Sequence, residues 1–184
     1  SRNKVDRSKM VRDDWDDVLN IRPIENIPVE ALGYRIEFLE EWLKRVEKDE
    51  YWDLMDWHLQ KDKINVPALV VSGWYDDNSM GTTEALDVIK DYEKGKRKAI
   101  LGPWMHNSNT LRDINGISLG NSSLRYDLDY NYLLWFDKYL KGIENNIDTT
   151  APVEYYSVGS NKWKTEENWP IINKIDKSMY LISD

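Results

Sequence analysis

Asp76 and His106 each stand where a short apolar run breaks off. The first run is Val66-Pro-Ala-Leu-Val-Val-Ser-Gly-Trp-Tyr75, and the second is Ala99-Ile-Leu-Gly-Pro-Trp-Met105. In open parallel sheets, reactive groups gather just past the carboxyl ends of strands. An acid and an imidazole delivered there from consecutive strands are two of the three members of a Ser-His-Asp hydrolytic triad. The carboxylate would accept a hydrogen bond from the imidazole Nδ1–H and fix its tautomer; the imidazole would move protons.

Each residue also has a plainer explanation. Asp favours helix N-caps and turns. His106 follows Gly102-Pro-Trp104, a sharp turn in which a histidine can simply bond to backbone. Taken together at matching strand ends, the catalytic reading outweighs both. Trp74, Tyr75 and Trp104 flank the pair and are candidates for walls of an acyl pocket, or ordinary core. The other histidine, His58, sits among charged residues in a helical stretch and reads as solvated surface.

Two alternatives need weighing. Gly116-Ile-Ser-Leu-Gly120 matches the G-x-S-x-G pattern of a nucleophile elbow. That elbow needs a strand before it and a helix after it, and in α/β-hydrolases it precedes the acid and the His. Here it follows both, after the polar stretch 109–115, so Ser118 reads as a loop serine. A metal set of Asp76, Asp77 and His106 is conceivable, but no second His lies at helical spacing and no H-E-x-x-H is present. Neither a metal nor a cofactor is expected.

The elements that must position these residues follow from periodicity. Residues 1–27 are charged and irregular, with Pro23 and Pro28 as breakers. A helix is expected over 29–48, with Leu39, Trp42, Leu43 and Val46 at i, i+3, i+4 and i+7. A second helix is expected over 51–60. A strand from about Val66 leads to a helix opening at Gly81, with Ala85, Val88, Ile89 and Tyr92 on one face. The next strand covers about 98–101, and 107–125 reads as a long surface loop. A last helix covers 128–141, with Leu133, Phe136 and Leu140 inward and Gly142 just past its end. From about residue 151 the pattern turns to strands, at 153–158, 162–164 and 177–182, which reads as the opening of a β-sandwich.

Composition narrows the function classes. The chain has 184 residues, 41% hydrophobic and 32% charged. Its net charge of −8 argues against nucleic-acid or anionic-lipid partners. No apolar run approaches the ~20 residues of a membrane span. Cysteine is absent, which removes disulfides and thiolate chemistry and leaves the compartment undecided, with the cytoplasm favoured. Nine Trp and eleven Tyr against two Phe suit pockets and interfaces, where an apolar body and a polar tip are both used.

Several motifs in one order carry a family likeness. Val66 to Asp76, then Gly102-Pro-Trp-Met-His106, then Leu134-Trp-Phe-Asp-Lys-Tyr-Leu-Lys-Gly142, then Lys162-Trp163, resemble the CocE/NonD hydrolases. These serine hydrolases include X-Pro dipeptidyl-peptidases, cocaine esterase, α-amino acid ester hydrolases and cephalosporin acylases. The resemblance implies an α/β-hydrolase core with an inserted helical cap and a C-terminal jelly-roll. It makes 1–50 a cap segment, 51–150 the core segment and 151–184 the start of the jelly-roll. It implies Asp76 as the catalytic acid and His106 as the base, with a small ester, amide or short peptide as substrate.

The family's serine elbow and its oxyanion tyrosine match nothing here. The chain is therefore expected to be a fragment, inactive alone, whose partner is the N-terminal part of the same protein. An open sheet edge would also favour self-association. Glu37, Glu40, Glu41 and Asp49 are candidates for binding a peptide amine, though a solvated helix face explains them better. The rival class is a non-catalytic module that keeps a hydrolase-like shape.

Overall fold

The computed structural model describes residues 12–172 and 175–181. The chain divides into two compact units, one up to Leu59 and one from Gln60. This division falls within the 3-10 segment Trp57–Lys63.

The first unit is made of short helices: α1 (Trp15–Leu19), α2 (Ile27–Leu32), α3 (Glu37–Lys44) and α4 (Glu50–Asp53). The expected helix over 29–48 is interrupted at Gly33, which closes α2 with φ of 81°. That left-handed conformation is cheap for glycine and ends a helix. The stretch 51–60 likewise splits into α4 and a 3-10 segment, Trp57–Lys63. An aromatic group of Phe38, Trp42, Tyr51 and Trp52 packs edge to face and tilted within this unit. The Arg45 guanidinium lies 4.6 Å over the Tyr51 ring and bonds to Glu41 and Asp49, while Arg35 pairs with Glu40. Three of the four candidate amine-binding carboxylates are therefore held by neighbouring arginines.

The second unit is built on a four-stranded sheet in the order β1-β2-β5-β6. β1 (Ala68–Gly73) and β2 (Arg97–Gly102) are parallel and joined through α5 (Ser79–Ile89). β5 (Val153–Ser157) lies parallel to β2 on its other side, reached through α6 (Leu128–Lys141). β6 (Lys162–Glu166) closes the sheet antiparallel to β5. The sheet thus takes strands from both sides of residue 151. The run Val153-Glu-Tyr-Tyr buries Val153 and Tyr156 within this unit. Of the strand expected at 177–182, residues 177–181 take no regular structure and Ile182 lies outside the described residues.

β2 shows why the sheet is the centre. Ala99 and Leu101 join Leu86 of α5 and Val153 on one face, while Ile100 joins Trp104 and Leu128 of α6 on the other. A parallel strand covered on both faces is largely apolar, as this one is from Ala99 to Gly102 after Arg97 and Lys98. Burying an Ile or Leu side chain there contributes about 1.5–3 kcal/mol each.

Two expectations are corrected. α6 has the expected bounds, but Leu133, Phe136 and Leu140 are exposed; Leu128, Asn131 and Trp135 are buried. The helix offers two overlapping 3.6-residue series, and the aromatic one, extended by Tyr132 and Tyr139, takes the inner side. The segment 107–125 is not a loose surface loop. It folds a hairpin, β3 (Asp113–Ile114) and β4 (Ile117–Ser118), and buries Ile114, Leu119 and Ser123. Indole and phenol donors hold its carbonyls. Trp104 Nε1 donates to Ser123 O at 2.8 Å, Trp163 Nε1 to Ser122 O at 2.7 Å, and Tyr156 OH to Leu119 O. Two of the nine tryptophans and one of the eleven tyrosines are used in this way.

Candidate active site

β1 and β2 end at the same level, with Gly73 opposite Gly102. Their ladder continues past the strands: Trp74 N–H donates to Gly102 O at 2.9 Å and Tyr75 N–H to Trp104 O at 3.0 Å. The two segments that leave the sheet are therefore stitched together immediately before Asp76 and His106. The close approach demands glycine. A Cβ on Gly73 would sit 2.1 Å from Trp104 O, and one on Gly102 would enter the Trp104 indole.

The Asp76 carboxylate accepts a 2.8 Å bond from the Asn78 N–H, an Asx turn that leads into α5. Its other neighbour is His106, whose Nδ1 lies 3.4 Å from Asp76 Oδ1. One carboxylate thus shapes the turn and faces the imidazole. The Asn78 amide is the main influence that holds the Asp76 carboxyl below the usual carboxylate range; partial burial opposes it and His106 adds to it. Asp76 is therefore an ionised acceptor at neutral pH. The 3.4 Å contact is longer than a full hydrogen bond, as unliganded catalytic pairs often are.

The His106 side chain is 72% exposed and sits in a turn closed by Ser108 N–H on Met105 O at 2.8 Å. In the tautomer that carries its proton on Nδ1, that N–H is directed at Asp76 and Nε2 keeps a free lone pair.

Asp77, which composition and spacing offered only as a metal ligand, places its Oδ1 3.9 Å from the same Nδ1. One ligand atom each of Asp76, Asp77 and His106 lies within 4.8 Å of the other two. Two carboxylates and an imidazole are a donor set a divalent ion can use. They equally form an acid–base pair with a second negative charge beside it.

The flanking aromatics divide. Trp104 is 2% exposed and packs in the core with Ile100 and Leu128, its N–H satisfied by Ser123 O; in this unit it is core, not the wall of an open pocket. Trp74 donates from Nε1 to Tyr156 O at 2.7 Å and stacks 5.7 Å from Trp169, yet keeps an open face. Tyr75 is likewise partly exposed. Ser118 lies in β4, followed by Leu119 and a 3-10 turn at 121–123. It has neither the preceding central strand nor the following helix that an elbow requires. His58 falls in the 3-10 segment Trp57–Lys63, with its ring 6.4 Å from Trp57. Among the described residues, no helix is long and apolar enough to cross a membrane.

The cocaine esterase of Rhodococcus sp. (strain MB1 Bresler) is 22% identical over 172 residues, covering 88% of this chain and 28% of the esterase. A Mycobacterium bovis protein provisionally named a serine esterase is 29% identical over 114 residues, 61% of this chain and 17% of its own length. An aminopeptidase structure from a marine sediment Thaumarchaeota archaeon superposes with a TM-score of 0.64 at 23% identity, over 88% of this chain and 27% of that one, and shares the fold. The chain thus spans less than a third of the length of each of these relatives. The sequence profile described as X-Pro dipeptidyl-peptidase (S15 family) matches residues 1–108. With more than half of its length so matched, the chain belongs to the X-Pro dipeptidyl-peptidase S15 family, the CocE-type group that its motifs resemble.

Proposed function

We propose that this chain carries the acid and the base of a serine hydrolase that cleaves ester or amide bonds, and that the nucleophilic serine comes from another part of the parent polypeptide. The observation that carries the reading is the 3.4 Å approach of His106 Nδ1 to Asp76 Oδ1 at the ends of two adjacent parallel strands. In this reading residues up to about 50 belong to the cap, and antiparallel β6 marks where the chain turns from the core toward the jelly-roll.

The chemistry is balanced by one proton carrier. Nε2 of His106 takes the serine hydroxyl proton as Oγ bonds to the acyl carbon. The imidazolium, stabilised by ionised Asp76, then gives that proton to the departing alcohol or amine. Water repeats the sequence, leaving a proton on Nε2 for the serine as the acyl–Oγ bond breaks. The substrate is a small ester or amide, or a short peptide, and no metal or cofactor takes part. The esterase names of two relatives favour esters; the family name keeps X-Pro peptides as the second reading.

The test uses the whole parent polypeptide with aryl esters and X-Pro anilides, beside its His106→Ala variant. A loss of several orders of magnitude in turnover supports the assignment. Near-normal hydrolysis by His106→Ala refutes it, and a wild-type protein that cleaves neither substrate class and resists serine-directed fluorophosphonate is a binding module instead.

A further inference from the structure

We infer that Asn109 is a positioning residue for His106: its carboxamide fixes the loop carrying the imidazole to one point on the backbone at residue 125. The inference rests on the hydrolase reading for its consequence in turnover, and on geometry alone for the clamp itself.

Asn109 lies three residues after His106. Its Oδ1 accepts from Arg125 N–H at 2.7 Å and its Nδ2 donates to Arg125 O at 2.7 Å. A carboxamide is the side-chain group that presents a donor and an acceptor side by side, so it docks on one residue as a strand neighbour would. The backbone between the two is forced. Ser108 and Asn109 have φ of 44° and 40°, the left-handed region that few side chains other than Asn and Asp enter readily. Such conformations persist where surrounding contacts over-determine them.

The anchor is rigid. The Arg125 guanidinium donates to Glu154 at 2.8 Å and to both Asp127 oxygens at 2.6 and 2.7 Å, and lies 4.7 Å over the Trp163 ring. Glu154 stands on β5 and is bonded in turn by Lys98 of β2, itself only 2% exposed. A chain of satisfied contacts therefore runs from the centre of the sheet to Asn109.

His106 needs such a mount. Its ring is largely exposed, and the contact to Asp76 is long, so its position depends on the backbone beneath it. Misplacement of a catalytic group by about 1 Å can cost on the order of 100-fold in rate.

Asn109→Gly tests this, because glycine keeps the positive φ accessible while deleting both bonds. With only two histidines in the chain, His58→Gln leaves the His106 ring as the lone imidazole signal in nuclear magnetic resonance. In the 184-residue chain, Asn109→Gly is expected to raise the His106 ring mobility seen in carbon relaxation. In the whole parent polypeptide it is expected to lower kcat by roughly 10- to 100-fold with KM changed less than about twofold. Unchanged ring mobility in a folded variant overturns the inference. Increased mobility in a protein whose wild type lacks hydrolase activity upholds the clamp and refutes the function. Should Asn109→Gly unfold, Asn109→Asp keeps the acceptor for the Arg125 amide and carries the same measurement, with an intermediate effect expected and no effect refuting.

Discussion

Gly73 and Gly102 face one another across β1 and β2, and Trp104 fills the space that a side chain on either would need. The Asp-bearing and His-bearing segments approach closely because neither strand end has a Cβ. Gly102→Ala should therefore destabilise the chain at or above the upper end of the ~1–3 kcal/mol typical of overpacking. Thermal unfolding monitored by tryptophan fluorescence reads this directly. A midpoint equal to wild type would show that the indole can move aside at no cost.

The two carboxylates near His106 Nδ1 should not be equivalent. Asp76 is closer, less exposed and fixed by the Asn78 amide, whereas Asp77 is 85% exposed and 3.9 Å away. In the whole polypeptide, Asp77→Asn should reduce kcat less than about tenfold. Asp76→Asn should cost much more, yet less than the ~10,000-fold seen when a triad acid is lost with no substitute nearby. The double variant should reach that full loss. Equal effects of the two single variants would refute this ranking.

Glu154 should set part of the acid limb of stability. Burial pushes its carboxyl up, but the bonds and charges of Lys98 and Arg125 outweigh this and hold it below the ordinary value. A depressed carboxylate stabilises the fold above its unfolded pKa of about 4.3, and that contribution is lost as pH falls through the lower folded value. The thermal midpoint should therefore hold from neutrality down to the ordinary carboxylate range and fall below it. Glu154→Gln leaves Lys98 buried without its counter-charge, a loss of about 3–5 kcal/mol at neutral pH, and should flatten the acid limb. A midpoint for Glu154→Gln within a degree of wild type at pH 7 would contradict this.

Ser118 should be silent. In the whole polypeptide, Ser118→Ala should leave ester turnover within about twofold of wild type, and the 184-residue chain should not react stoichiometrically with a fluorophosphonate. Mass spectrometry of the treated chain decides the second point, and a covalent adduct on Ser118 would restore it as a nucleophile.

What the sequence made legible was whatever local pattern controls. β1 and β2 stood out as apolar runs with a polar break, and α6 was bounded by Gly142 in its left-handed cap. The meeting of Asp76 and His106 followed from those strand ends. The rest depends on partners distant along the chain. Which face of α6 turns inward is decided by the sheet that Leu128 and Tyr132 meet, since Leu133 and Phe136 fit the same period equally well. The order in 107–125 comes from Trp104, Tyr156 and Trp163, two of which lie more than 30 residues away. The continuity of the sheet past residue 151 rests on the pairing of Ala99 to Leu101 with Val153 to Tyr155, a non-local choice that composition does not record.

The place of β1 in the strand order has a mechanical consequence. β2 is gripped by neighbours along both of its edges, whereas β1 is gripped along one among the described residues. The imidazole therefore rides on the stiffer support, as a fixed reference, and the carboxylate on the more compliant one. A strand adding along the outer side of β1 would act first on the acid and reach the base only through the bonds that join Trp74 to Gly102 and Tyr75 to Trp104. Backbone pairing along that edge can thus shift the separation of Asp76 from His106 with every side chain around the imidazole unchanged.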